Sequence, residues 1–196
     1  WAVTAYDTKR THALYAVTAE ATPDDPYLVW FAMDDIETAD DVYTAEEFLP
    51  RIAGIVAGLP LYQAPTYYVL KDVTDCPHLT RAQADAVIAA GKLVLYHDGE
   101  KVKIARGVNS LTTVPGNNGY TDEWKKIKVV RILNRVESDI VSVTEDNYIG
   151  KVPNTYINKL LLTADINAYL QQLEGVDVLY PGVNRVDIDL AAQRTY

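Results

Sequence analysis

Between Lys92 and Val152 the chain reads as a β-hairpin, a loop, one long two-faced helix and the approach to a second helix. The run Leu93-Val94-Leu95-Tyr96 faces Val102-Lys103-Ile104-Ala105 across Asp98-Gly99, a dipeptide that accepts the positive φ angles of a type I′ turn. The helix is expected to start near Thr121-Asp122-Glu123, where a hydroxyl can cap it and two acids meet the positive end of its dipole, and to end at about Val143. At about 100° per residue, Val129, Ile132, Leu133, Val136, Ile140 and Val143 share an arc of roughly 100° that has to be buried. Lys128, Arg131 and Arg135 fall together in an adjacent arc of about 60°, a narrow basic stripe.

The other elements follow from local signals. Ala13 to Ala19 and Tyr27 to Met33 are rich in strand formers, and Thr22-Pro23-Asp24-Asp25-Pro26 between them can continue neither, so two strands of one sheet are expected. Thr44 and Glu47 form a capping box for a helix over about 45–58, although Pro50 suggests that its regular part begins only there. Leu59 to Asp72, with two prolines, reads as an extended arm or edge strand. Thr80 and Gln83 cap another helix, which stops at Gly91. After the breaker-rich link Tyr148 to Asn154, apolar residues repeat at helical spacing from Thr155 to Leu173, as one kinked helix or two short ones. Arg185-Val186-Asp187-Ile188-Asp189-Leu190 alternates strictly and reads as a half-buried strand. Strands and helices interleave, so the class is α/β or α+β with a mixed sheet flanked by helices.

Charge and composition exclude several functions. Eighteen basic and 27 acidic residues leave a net charge of −9, which disfavours a nucleic-acid partner because phosphate needs a positive surface. Apolar runs such as Leu28 to Met33 are too short to cross a bilayer, and no export leader opens the chain. Trp1 begins in what reads as an ordered segment, as in a trimmed chain. Cys76 is the single cysteine, so neither an internal disulfide nor a thiolate zinc site can be built.

No catalytic set or cofactor site assembles from the sequence. His12, His78 and His97 lack metal-ligand spacing, and Cys76 and His78 flank a proline with no orienting third group. Gly54 and Gly58 lie in or at the end of an apolar helix instead of opening one, so close helix packing explains them better than phosphate binding. The acids Asp34, Asp35, Asp40, Asp41, Glu46 and Glu47 lack the glycine and terminal glutamate of a calcium loop and read as a solvated face.

Several segments, in order, resemble the C-terminal half of contractile tail sheath proteins of phages, prophage-like elements and bacteriocin particles. They are Ile52 to Gly58 leading into Thr66-Tyr67, Leu79 to Gly91 with the hairpin, Ile104 to Thr113, Trp124 to Arg131, Tyr148-Ile149-Gly150-Lys151-Val152, and Val186 to Arg194. The combination carries the resemblance; any one piece alone is weak. The family's N-terminal half has no counterpart, and the chain stops at Arg194-Thr195-Tyr196 where the family continues into a further strand. The resemblance implies residues 1–58 as part of an upstream sheath domain and 59–196 as the sheath C-terminal domain.

It also implies a function that is mechanical and not enzymatic. A subunit of this kind polymerises helically around a tail tube and drives its ejection by rearranging, nearly as a rigid body, into a wider and shorter array. Implied partners are identical subunits, joined through terminal arms that add strands to a neighbour's sheet, together with the tube protein and the baseplate, in a virion tail or bacteriocin particle assembled in the bacterial cytoplasm. No nucleic acid, membrane or cofactor is implied. Arg185, Val186, Asp187, Ile188, Asp189 and Leu190 suit an inter-subunit strand, or equally a strand paired only within its own sheet. Lys128, Arg131 and Arg135 suit a tube or neighbour contact; the plainer reading is a solvated stripe with Arg135 paired to Asp139. Another tail, baseplate or capsid-associated protein sharing the domain, or an α/β enzyme with an unrecognised site, remain as alternatives.

Overall fold

Nine short strands and four α-helices alternate through the residues that the computed structural model describes, 15–18, 23–114 and 119–189. They form two compact units that divide between Asn134 and Arg135. The first contains β1 (Tyr15–Val17), β2 (Leu28–Phe31), β3 (Ile36–Thr38), β4 (Val42–Tyr43), α1 (Ala45–Gly58), β5 (Val69–Leu70), β6 (Val73–Asp75), α2 (Arg81–Ala89), β7 (Lys92–Leu93), β8 (Leu95–His97) and β9 (Val102–Ile104). The boundary expected near residue 58 falls inside this unit.

Three small sheets share one core. β1, β2 and β7 run parallel, with Ala16 opposite Val29 and Phe31 opposite Leu93. The sheets β4-β3-β6 and β5-β9-β8 are antiparallel. Val29 and Phe31, Phe48, Ile52 and Val56 of α1, and Leu70, Leu93, Leu95, Val102 and Ile104 bury their side chains together. Phe31 and Phe48 meet ring to ring at 6.0 Å.

The capping boxes form as their spacing requires. Thr44 Oγ1 accepts from the Glu47 N–H while Glu47 Oε2 accepts from the Thr44 N–H at 3.0 Å, and α1 continues unbroken through Pro50. The expectation of a start at Pro50 is therefore corrected. Proline removes only the bond to the Glu46 carbonyl, and both residues stand exposed where water can replace it. The box at Thr80 and Gln83 opens α2, and Gly91 follows at φ 78°. Leu59 to Asp72 becomes turns around the two-residue β5, which lies at the edge of its sheet.

Two other expectations shift. The hairpin forms, but Asp98 pairs with Lys101 (N–H to O, 3.1 Å) and the turn centres on Gly99-Glu100, with Gly99 at φ 103°. The Glu100 and Lys101 N–H groups donate to the Asp98 carboxylate at 3.0 and 2.8 Å, so that side chain, and not a type I′ backbone turn on Asp98-Gly99, closes the loop. Leu93 leaves the hairpin to pair with Phe31 in the parallel sheet, so the run Lys92 to His97 serves two sheets.

The long helix starts later than its cap signals suggest. Asp122–Lys125 form a 3₁₀ turn, Thr121 caps nothing with its side chain, and Lys126 is extended before α3 (Ile127–Asn147) begins. Lys126 is held in a bridge to Val108, with the Asn109 N–H donating to the Lys125 carbonyl and the Ile127 N–H to Gly107, so long-range pairing overrides the local signal. Burial also departs from the wheel. Ile127, Val130 and Ile132 are buried and Val129, Val136 and Ile140 partly so, whereas Leu133 and Val143 of the expected core face are exposed.

The second unit contains the remainder of α3 and α4 (Tyr156–Gly175), a single helix capped by Thr155. Arg185 to Asp189 do not form a strand; among the described residues this segment has no ladder partner, and Leu190 lies outside them.

Candidate subunit interface

In the second unit a short polar chain ties the two helices together. Arg135 Nε donates to Asp139 Oδ2 at 2.8 Å, and the Tyr169 hydroxyl donates to the same oxygen at 2.7 Å. Burial, and then the Asp139 carboxylate, push the Tyr169 hydroxyl up to about 12. The Tyr148 hydroxyl likewise donates to Asp165, which raises its pKa. Between these ties Ile140, Val143, Leu162 and Ile166 line an apolar cleft of about 290 Å³.

Much of the rest of this unit's apolar surface is uncovered. On α4, Tyr156, Ile157, Leu160 and Leu161 stand exposed, Ile157 at 69%. Apolar residues lie all round this helix, the pattern of an element that expects covering on every side.

The segment 183–189 is strand-like but joins no ladder among the described residues. Asn184, Val186 and Ile188 are half-buried while Arg185, Asp187 and Asp189 are exposed, so the period-2 alternation survives. Asn167 on α4 grips its backbone: the side-chain amide donates to the Val186 carbonyl at 2.9 Å, and its oxygen accepts from the Val186 N–H at 2.8 Å. An amide thus supplies at one residue what a neighbouring strand would supply along several. Asn184 is held by Glu174 at 2.7 Å, and Arg185 pairs with Asp187.

The three cations of the basic stripe have different surroundings. Arg131 Nη2 donates to the Leu59 carbonyl at 2.6 Å and more weakly to Ala57, placing a guanidinium on the open carbonyls at the end of α1, whose last turn has no basic residue of its own. Arg135 is committed to Asp139. Lys128 is half-buried and in no ion pair among the described residues.

Asn109-Ser110, which the sequence offered only as part of a resemblance, is a fully buried polar knot. Asn109 Nδ2 donates to the carbonyls of Pro26 (2.9 Å) and Trp124 (2.6 Å), and its Oδ1 accepts from Leu111. The Ser110 N–H donates to Leu28 and its hydroxyl to the Asp25 carbonyl. Beside it the N–H groups of Thr112 and Thr113 hold the Asp24 carboxylate, lowering its pKa to about 2. A buried asparagine in the sequence signals such a knot; its partners at Pro26, 83 residues away, and Trp124, 15 away, are not readable there.

Among the described residues no three of His, Cys, Asp and Glu converge as a metal site. His12 is outside the described residues, and His78 bonds Asp75 at 2.9 Å and stacks on His97. Cys76 is buried, and desolvation raises its thiol to about 11, away from a reactive thiolate. Gly54 and Gly58 are not packing glycines, since a methyl group at either would meet open space.

Residues 120–195 match the phage tail sheath C-terminal domain. Over that stretch the chain is similar to a tail sheath domain. It is 33% identical over 181 residues to the tail sheath protein of Clostridium phage phiCD119, covering 92% of this chain and 50% of that protein. The chain therefore spans about half the length of the curated sheath relative it matches. Its fold is that of a sheath tail protein from Listeria innocua (TM-score 0.75, 19% identity, 89% of this chain and 41% of that one). A helical sheath of the anti-feeding prophage in the contracted state shares it too (TM-score 0.65, 18% identity, 89% and 49%). Asn109 lies in one of the stretches by which the sequence resembles that family, and the segment at 183–189 overlaps another from Val186 onward.

Proposed function

We propose that this chain is the core of a structural subunit of a contractile tail sheath, polymerising helically around a tail tube and ejecting it by rearrangement of the array. The observation that carries this reading is the extended segment 183–189, held to α4 by Asn167 with no ladder partner among the described residues, in a domain of the sheath family. Such a segment offers its backbone groups to a strand from an identical subunit, and Val186 and Ile188 set the register. The apolar faces of the second unit are then covered by neighbours in the array. The work is mechanical: better inter-subunit contacts in the contracted state supply the free energy, and no nucleotide enters.

The tube protein and the baseplate complete the set of partners, in a particle assembled inside the bacterium. Of the basic stripe, Lys128 is the member available to an acidic tube, with Arg135 as a salt-bridged neighbour and Arg131 held mainly by α1. Negative-stain microscopy of the full-length polypeptide tests the reading: tubular polysheaths are expected, and a monomer under all conditions overturns it. Lys128→Glu is expected to weaken loading onto tubes while leaving polysheath formation intact.

A further inference from the structure

The first unit carries two opposite electrostatic surfaces that its own fold does not bring into an ion pair. In the sheet β5-β9-β8, Leu70, Leu95, Val102 and Ile104 are buried, so the alternate residues Lys103 and Tyr96, paired in register, face outward. Lys101 is two residues along β9 from Lys103, Lys71 closes β5, and both are exposed and in no ion pair among the described residues. Tyr67 stands 63% exposed, its ring edge-on to Tyr96 at 5.9 Å. Its backbone is pinned at φ 60°, a conformation rare for a bulky residue, by its N–H on the Ile104 carbonyl at 2.8 Å. Lys103 is ion-paired with Asp98, so the free positive charge of this face is that of Lys71 and Lys101 beside the two tyrosines, a composition that suits a recognition surface.

The complement lies on the same chain. From Asp34 to Pro50 there are seven acids and no base, and Asp34, Asp35, Glu37, Asp40, Asp41, Glu46 and Glu47 are all exposed. None meets a cation within ion-pair distance among the described residues. Backbone N–H groups at and near the start of α1 hold Asp34, Asp41 and Glu47, but no cation among the described residues neutralises the ridge, and in a chain of net charge −9 the lysines of the sheet are an uncommon counterpart.

We infer that the tyrosine and lysine face of one copy docks on the acidic ridge of a second copy, a head-to-tail contact separate from strand addition. Because the two surfaces differ, the contact is heterologous and propagates along an open array instead of closing a dimer. Opposite charges set register and encounter rate, and the tyrosines provide the dehydrated centre. The inference rests on the sheath reading and adds a specific surface to it.

Charge exchange in the full-length polypeptide tests it. Lys71→Glu with Lys101→Glu, or Glu37→Lys with Asp40→Lys, is expected to raise the concentration needed for assembly by about tenfold or more. An equimolar mixture of the two variants, or all four changes in one chain, restores it. Assembly that is indifferent to either reversal, or that exchange fails to restore, overturns the docking while leaving the sheath reading intact; failure of the unaltered protein to assemble overturns both. Should a variant misfold, zero-length cross-linking of the unaltered protein in a mixture of heavy and light isotopes decides: mixed-isotope links joining Lys71 or Lys101 to Glu37 or Asp40 support the contact, and same-isotope links alone refute it.

Discussion

The two compact units use apolar residues in opposite ways. Before Asn134, β2, α1 and the strands around them close a core of their own, and Leu170 is the one buried large hydrophobic among the described residues beyond it. Of the fifteen exposed large hydrophobics among the described residues, eleven lie in the second unit. Since burial of apolar area is the main stabilising term in folding, the first unit is built to hold its shape alone, whereas the second leaves much of its contribution for contacts outside the chain. The proposed sheath role calls for both: a body that moves without deforming and a surface completed by its neighbours.

The contrast can be broken first at the buried knot. Asn109→Ala leaves two carbonyls and an N–H without their partner and is expected to cost about 3 kcal/mol, read from urea unfolding of the chain. A loss below about 1 kcal/mol would show that the knot does not hold the first unit together. A smaller effect appears in acid. The Asp24 carboxylate is held at about 2 by Thr112 and Thr113, below its ordinary value near 3.8, so its contribution is fully present above pH 4 and is lost as pH falls through about 2. Asp24→Asn is expected to flatten the fall in stability between pH 4 and pH 2, and unchanged melts across that window would count against the clasp. The smallest effect sharpens the comparison most. Ile157→Ser, at an exposed site in the second unit, is expected to change unfolding free energy by less than about 0.5 kcal/mol while reducing assembly of the full-length polypeptide, as scored by microscopy. A large loss of stability there would mean that α4 is already packed within its own chain.

What was legible in the sequence is what chemistry closes over three or four residues. Thr44 with Glu47, Thr80 with Gln83, and Thr155 each state a helix start that needs no other part of the chain, and the alternation around Val186 states an extended backbone. Pairing across distance was not legible. Thr121 and two acids announce a helix, yet a bridge from Lys126 to Val108 delays it to Ile127. Lys128, Arg131 and Arg135 share a face, yet Arg131 serves a carbonyl 72 residues earlier.

The amino-acid order by itself determined the elements, their caps and the sheath resemblance, because each rests on neighbours in the chain. Only the tertiary structure decided which of those elements are finished within this chain and which remain open at 183–189 and along α4. The physical reason is that an N–H, a carbonyl or an apolar face is satisfied by whatever reaches it in space, and chain entropy lets that partner come from anywhere along the polypeptide.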